Sequence, residues 1–402
     1  MTLSRQTIRQ IHQNVRLSEG VSRIDSFLAH AYLREGISVK ELARLLRLPI
    51  PVTSAIKNEC KKSGVLEVAG SGVRLTPEGG EYVRGVLGYE NLDAEKLLKV
   101  LDAPALPLAL FAKETEAFEL ILQARPPVDV TVDQSLGTAE TGIKRALLML
   151  RSGGLIGKKV LFAGDDDMTS IAACLVIQSL TVKPEKPDSG TPFPAALTVL
   201  DIDGRILNFI RQASAPFSVP VETALHDFRQ PLPEKFARSF DSVFSDPPYT
   251  LPGVSLFVSR GVKALKKESD LRFYLSFSPK DPAARLAIQR MLGESGLIIE
   301  GILEGFNRYN GAQIIGGVSD LNVLTTTGET LPLLEGAFAA PIYTGETNPR
   351  TRVYECKSCR AKYSVGHGEE IKTVERLKEA GCAQCGGSVF TLKDRRVKDE
   401  RS

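Results

Sequence analysis

Seven aspartates fall into four short clusters between residues 164 and 249, and they are the side chains best placed to do chemistry. Gly164-Asp165-Asp166-Asp167 directly follows the apolar run Val160-Leu161-Phe162-Ala163. Asp201-Ile202-Asp203-Gly204 follows Leu197-Thr198-Val199-Leu200. Asp227 closes Ala224-Leu225-His226-Asp227, and Asp246-Pro247-Pro248-Tyr249 closes Asp241-Ser242-Val243-Phe244-Ser245. Short apolar runs bounded by turn signals predict buried strands of a parallel sheet. Ligands of such sheets bind beyond the C-terminal strand ends, so all seven carboxylates are expected on one rim.

The first strand–helix turn is informative for what it lacks. A dinucleotide or methyl-donor site usually carries glycines there, so that backbone can approach an anionic group. This chain has Gly164 and then three aspartates, a turn that repels phosphate or carboxylate and attracts a cation. The implied ligand is nucleoside-like yet cationic. A polyamine or a decarboxylated sulfonium fits; NAD does not. One of the three aspartates is expected to cap the following helix, more than one cap being superfluous. Asp201 sits where an acidic residue receives ribose hydroxyls, with Asp203 beside it, and Asp227 suits the adenine amino group. Pro247 and Pro248 stiffen the last turn, so that Asp246 can accept hydrogen bonds from a substrate amine. The Tyr249 ring can pack on the substrate or its cation.

The elements that position these residues read as an α/β unit over 136–345. Ile143, Ala146, Leu147 and Leu150 make a helical stripe that Gly153-Gly154 ends. Thr169 to Leu180 reads as a helix and 181–194 as a proline-rich surface loop. Further strands are expected at 273–277, 297–303 and 322–326, giving a mostly parallel sheet. Residues 1–88 read as helix, turn, helix, hairpin, helix, the order of a winged helix, with Val39, Leu42, Leu45 and Leu46 on one helix and Val52, Ile56 and Cys60 on the next. Gly70-Ser71-Gly72 marks the hairpin turn. Residues 89–135 read as a linking helical region.

Gly164-Asp165-Asp166-Asp167 together with Asp246-Pro247-Pro248-Tyr249, behind a winged helix, resembles the branched-chain polyamine synthases of thermophiles, the N(4)-bis(aminopropyl)spermidine synthases. The resemblance covers roughly 1–345 and implies a Rossmann-like aminopropyltransferase core. It implies transfer of aminopropyl groups from decarboxylated S-adenosylmethionine to the secondary amine of spermidine, with methylthioadenosine leaving. Asp165, Asp166, Asp167 and Asp246 then become the candidate catalytic residues. Gly164, Asp201, Asp203, Asp227, Pro247 and Tyr249 become candidate substrate-binding residues. No catalytic cofactor is implied, since the sulfonium donor is already activated. A homodimer is the expected assembly.

Cys356, Cys359, Cys382 and Cys385 stand as C-x-x-C, 22 residues, C-x-x-C within 350–392, ahead of a mixed-charge tail at 393–402. Two such pairs without a secretion signal favour metal over disulfides, and four thiolates predict a closed structural zinc ribbon. His367 lies between the pairs but four cysteines suffice. The formal charge of +3 neither demands nor excludes nucleic acid. No apolar run approaches a membrane span, and charges interrupt the first 17 residues, so a cytoplasmic protein is expected. Two rivals remain at this level. An S-adenosylmethionine-dependent amino-methyltransferase on nucleic acid would use Asp-Pro-Pro-Tyr to hold an exocyclic amine, but the acidic first turn handles a methionine carboxylate badly. A polyamine-sensing DNA-binding regulator would use Lys57, Lys61 and Lys62, against which Glu59 and the modest local charge argue.

Overall fold

The structure, a computed structural model, describes residues 3–397 except 71, 183–194, 278–280, 311–316, 348 and 367. The expected proline-rich loop therefore lies almost wholly outside the described residues, as do Ser71, His367 and the end of the tail. Among the described residues no helix is long and apolar enough to cross a membrane.

The N-terminal unit runs α1 (Arg5–Val15), α2 (Ser22–Leu33), β1 (Ile37–Ser38), α3 (Val39–Leu46), α4 (Ile50–Lys62), β2 (Leu66–Ala69), β3 (Gly72–Leu75) and α5 (Pro77–Glu81). Ser38 starts α3 with a reciprocal capping box to Glu41, and Pro51 sits in the first turn of α4 where its missing N–H costs nothing. The three strands form an antiparallel sheet in the order β1-β3-β2. Leu42, Leu46, Ile56 and Cys60 are buried, as their spacing predicts, against Ile8, Phe27 and Val73.

The linking region holds α6 (Ala94–Asp102) and α7 (Ala112–Gln123). It is no loose tether: Leu97, Val100, Phe111, Phe118 and Leu122 belong to the same buried cluster as Ile143, Phe162 and Ile177.

The α/β unit continues through β4 (Leu136–Gly137), α8 (Ala139–Arg151), β5 (Lys158–Ala163), α9 (Thr169–Leu180), β6 (Ala195–Asp201), α10 (Gly204–Ser214), β7 (Val221–Leu225) and β8 (Ser242–Ser245). It closes with α11 (Leu251–Ala264), β9 (Arg272–Ser276), α12 (Pro282–Glu294), β10 (Leu297–Asn310), β11 (Val318–Thr326) and α13 (Thr344–Thr347). One eight-stranded sheet results, ordered β4-β10-β11-β9-β8-β5-β6-β7. β5 to β9 are parallel, with β5 between β6 and β8. The mostly parallel sheet expected from the sequence is corrected here to a mixed one: β11 is antiparallel to both β9 and β10, and β4 is antiparallel to β10. The reason lies in chain length. β10 and β11 are separated by only 311–317, too short for the crossover a parallel pair needs.

The C-terminal unit comprises β12 (Arg350–Cys356), β13 (Lys362–Val365), α14 (Val374–Ala380) and β14 (Phe390–Val397), with an antiparallel sheet ordered β13-β12-β14. Its buried cluster is small: Tyr354, Val365 and Leu377, flanked by an edge-on contact of Tyr363 with Phe390.

Candidate active site

β5 is buried over Val160–Ala163 because helices cover both faces of the sheet, and its end delivers the first aspartate cluster. Gly164 makes the exit with φ 73°, a backbone conformation that disfavours a side chain. Asp165 then turns inward and caps α9, accepting from the backbone N–H of Thr169 at 2.7 Å and Ser170 at 3.1 Å. Burial pushes its carboxyl up to about 8, against the pull of those N–H groups. Its own N–H donates to Asp201 at the end of β6, tying the two strand ends together at 2.9 Å.

Asp166 and Asp167 point elsewhere. Asp166 is partly exposed in the cleft, and one of its oxygens accepts from Ser135 N–H at 2.7 Å. Burial raises its carboxyl well above the usual range, and the neighbouring charges of Asp167, Asp246 and Asp201 raise it further. Asp167 lies behind, accepting from Gly137 N–H at 2.5 Å and from Arg145 Nη1 at 2.8 Å. A Cβ at position 137 would stand 2.7 Å from the Asp167 carboxylate. Gly137→Ala is therefore expected to cost about 1–3 kcal/mol of stability and to displace Asp167, read as a lower unfolding midpoint with a lower turnover rate.

The last cluster follows β8. Asp246 accepts from Tyr249 on one oxygen at 2.9 Å, and from Tyr309 at 2.7 Å and Arg145 at 2.6 Å on the other. Burial pushes its carboxyl up to about 6, while the Arg145 charge pulls it back. The Tyr249 ring stands edge-on to Phe277, and its hydroxyl lies 3.1 Å from that of Tyr309.

The remaining predicted residues sit along the neighbouring strand ends. Asp201 accepts from Asp203 N–H at 2.8 Å as well as from Asp165, and burial raises its carboxyl. Asp203 caps α10; burial works against its charge, but Arg205 and Gln134 donate to it and hold the carboxyl down at about 2. Asp227 lies two residues beyond the end of β7 and pairs with Arg229 at 2.9 Å. Arg229 in turn lies over the Tyr343 ring.

Between these elements opens a small, partly open cleft. Of the residues singled out from the sequence, Gly164, Asp166, Asp201 and Asp246 line it, while Asp165, Asp167, Asp203, Asp227, Pro247 and Tyr249 stand off its wall, and Pro248 rather than Pro247 lines it. Asp133 and Gln134 join the polar wall. Val132, Ile202, Phe228, Phe257, Ile342 and Tyr343 give the apolar and aromatic lining. The lining therefore combines two chemistries: apolar and aromatic side chains that suit a nucleobase, and carboxylates that suit a cation. Sequence reasoning missed the aromatic lining and also Arg145 and Tyr309. Arg145 left one sign, a charged residue among the apolar positions of α8.

The four C-terminal cysteines converge as well. Their sulfurs all lie within 4.8 Å of one another, with Cys356–Cys385 at 3.6 Å and Cys359–Cys382 at 3.3 Å. No pair is joined as a disulfide.

A sequence model described as the branched-chain polyamine synthase A C-terminal domain matches residues 114–378. An uncharacterised protein of Methanocaldococcus jannaschii is 33% identical over 401 residues, 98% of this chain and 94% of its own. The N(4)-bis(aminopropyl)spermidine synthase of the same organism is 30% identical over 266 residues, 65% of this chain and 70% of its own. That of Thermus thermophilus is 29% identical over 315 residues, 76% of this chain and 83% of its own. The crystal structure of the Thermus thermophilus branched-chain polyamine synthase, in complex with N4-aminopropylspermidine and 5'-methylthioadenosine, aligns with a TM-score of 0.49 at 24% identity, covering 84% of this chain and 97% of that one. With about two thirds of its residues matched by the family's own domain, and a synthase 30% identical of which it covers 70%, this chain belongs to the branched-chain polyamine synthase family.

Proposed function

We propose that the chain is an aminopropyltransferase that moves aminopropyl groups from decarboxylated S-adenosylmethionine to the central nitrogen of spermidine. The observation that carries this reading is a cleft lining that joins apolar and aromatic side chains, Phe228, Phe257 and Tyr343 among them, to the carboxylates of Asp166, Asp201 and Asp246. The aromatic side chains take the adenosyl part of the donor, and the carboxylates of Asp166 and Asp246 take the cationic acceptor. Relatives that bear the name N(4)-bis(aminopropyl)spermidine synthase support the same chemistry.

In the first transfer the lone pair of the central amine attacks the donor's aminopropyl carbon next to sulfur. The carbon–sulfur bond breaks, its electron pair stays on sulfur, and neutral methylthioadenosine leaves. The nitrogen now carries an extra proton, which Asp166 accepts. Its raised pKa matches that task, because a strong acid makes a poor proton acceptor. The second transfer attacks from a tertiary amine and gives a quaternary ammonium with no proton to lose. Alignment of amine, carbon and sulfur in one line supplies most of the acceleration. In this reading Asp201 receives the ribose and Tyr249 backs the acceptor through Asp246. This reading assigns the base edge to Asp227, which lies off the cleft wall and is paired with Arg229.

The flanking units fit named modules. The order α2-β1-α3-α4-β2-β3 with its β1-β3-β2 sheet supports a winged helix. The C-terminal sheet with its four cysteines supports a zinc ribbon. Tetrahedral zinc with sulfur at its usual bond length has sulfurs about 3.8 Å apart, close to the spacings found here. Zinc would cross-link the two cysteine turns and take no part in transfer.

The test is incubation of the protein with spermidine and either decarboxylated or ordinary S-adenosylmethionine, with products read by mass. One and then two aminopropyl additions are expected with the decarboxylated donor. Methyl addition to nucleic acid from the ordinary donor, with no aminopropyl product, overturns the reading.

A further inference from the structure

Helix α8 buries a guanidinium. Arg145 is fully buried, on a helix whose neighbouring positions Gly142, Ala146 and Met149 are core. Such a charge persists in a protein interior only when its donors are matched, and here they are. Nε donates to Asn307 at 2.8 Å, Nη1 to Asp167 at 2.8 Å, and Nη2 to Asp246 at 2.6 Å and to the Tyr309 hydroxyl at 3.0 Å. The two aspartates come from different motifs, 79 residues apart, at the ends of β5 and β8.

We propose that Arg145 is a positioning residue for the transfer reaction: it clamps the carboxylates of the two motifs in one fixed arrangement and leaves Asp166 as the carboxylate with an oxygen free for the acceptor amine. The clamp follows from geometry. Both oxygens of Asp246 and both of Asp167 are taken by donors, whereas among the described residues Asp166 accepts on one oxygen only. Charge follows from the same set. With Asp166 unprotonated, as it must be to take the acceptor's proton, three carboxylates against one guanidinium leave two negative charges. A spermidine with both ends protonated and its central nitrogen neutral carries two positive ones. Arg145 thus matches the site to the form of the acceptor that can attack. This inference rests on reading the carboxylates of the cleft as the acceptor site.

Other charged and titratable groups face the cluster. Asp201 lies on the far side of Asp166, Tyr249 and Tyr309 donate to Asp246, and Arg125 donates to the Gly137 carbonyl at the edge. None of them bridges the two motifs, so removal of Arg145 has a distinct signature. Without it Asp246 loses the charge that pulls its carboxyl down and holds its proton to higher pH.

The experiment compares wild type, Arg145→Met, Arg145→Lys and the double variant Arg145→Met with Asp246→Asn. Folding is checked by circular dichroism and thermal unfolding. Carboxyl titration is followed by infrared spectroscopy on the free proteins, and pH–rate profiles are taken with spermidine. In Arg145→Met the carboxyl titration and the acid limb are expected to move up by about one pH unit or more, with kcat falling about 100-fold and KM changing less. The double variant, which restores the charge balance, is expected to bring the acid limb back while kcat stays low. Arg145→Lys keeps the charge but not the fork, so it is expected to hold the acid limb and still lose kcat. A folded Arg145→Met with unmoved titration and acid limb overturns the proposal. So does a wild-type rate in Arg145→Lys, which decides the matter if Arg145→Met fails to fold. The infrared titration needs no substrate, so it judges the clamp even if wild type transfers no aminopropyl group, an outcome that would count against the assigned function instead.

Discussion

Asp166→Asn is expected to lower aminopropyl transfer to spermidine by about 10³-fold and to leave the fold in place, since positioned proton acceptors contribute about 10² to 10⁴. Asparagine keeps the size and can still accept a hydrogen bond from Ser135, as Asp166 does at 2.7 Å. What disappears is, among the described residues, the one acidic group of the cluster with an uncommitted oxygen in the cleft. The loss has a pH signature of its own. A central amine must be neutral to attack, and after the first attack it must shed a proton before the second. In wild type Asp166 takes that proton; in the variant only solvent can. For spermidine the deficit should therefore narrow as pH rises, whereas N4-aminopropylspermidine, whose transfer releases no proton, should show little deficit from the start. Single-turnover rates with each acceptor over a pH series read this directly. A deficit that is the same at every pH would show that Asp166 binds substrate without handling a proton.

The second large effect concerns the cysteine cluster. Cys382→Ser with Cys385→Ser, or a strong chelator, is expected to unfold residues 350–397 while the eight-stranded sheet stays intact. The ribbon's own buried cluster of Tyr354, Val365 and Leu377 is too small to hold three strands together. Metal binding to such sites supplies about 10–16 kcal/mol in isolated peptides, more than that cluster can replace. Native mass spectrometry should show one zinc per wild-type chain. Cobalt should give the absorption of a four-thiolate tetrahedral site. Limited proteolysis of the stripped protein should remove the ribbon first. A ribbon that resists proteolysis equally with and without metal would sink the idea.

Much of the site was legible because its chemistry sits in contiguous runs. Gly164 to Asp167 and Asp246 to Tyr249 each place polar residues directly after a buried strand, and the cleft opens between them. The direction of each side chain was not legible. Asp165 and Asp166 are neighbours in sequence, yet one spends both oxygens on a helix N-terminus and the other faces the cleft. That choice is made by the backbone turn, with Gly164 and Met168 both at positive φ. Tyr309 was invisible for another reason: its partner Arg145 lies 164 residues away, and only the antiparallel placement of β10 brings them together. That placement was itself missed, because an apolar run reads alike in a parallel and an antiparallel strand. The aromatic lining escaped in the same way, Phe228, Phe257 and Tyr343 being drawn from three separated stretches that look like ordinary core.

The N-terminal unit is joined to the α/β unit at one telling place. Arg23 and Ser22 both reach Asp270, Arg9 reaches Glu268, and Gly20 packs on Ser269. These residues lie just ahead of β9, at the end of the parallel strands away from Asp166 and Asp246. None of the residues in this contact lines the cleft. Cutting this contact, for example with Asp270→Ala, would loosen the N-terminal unit without touching a cleft-lining residue, so the unit's hold on the sheet can be varied separately from the chemistry.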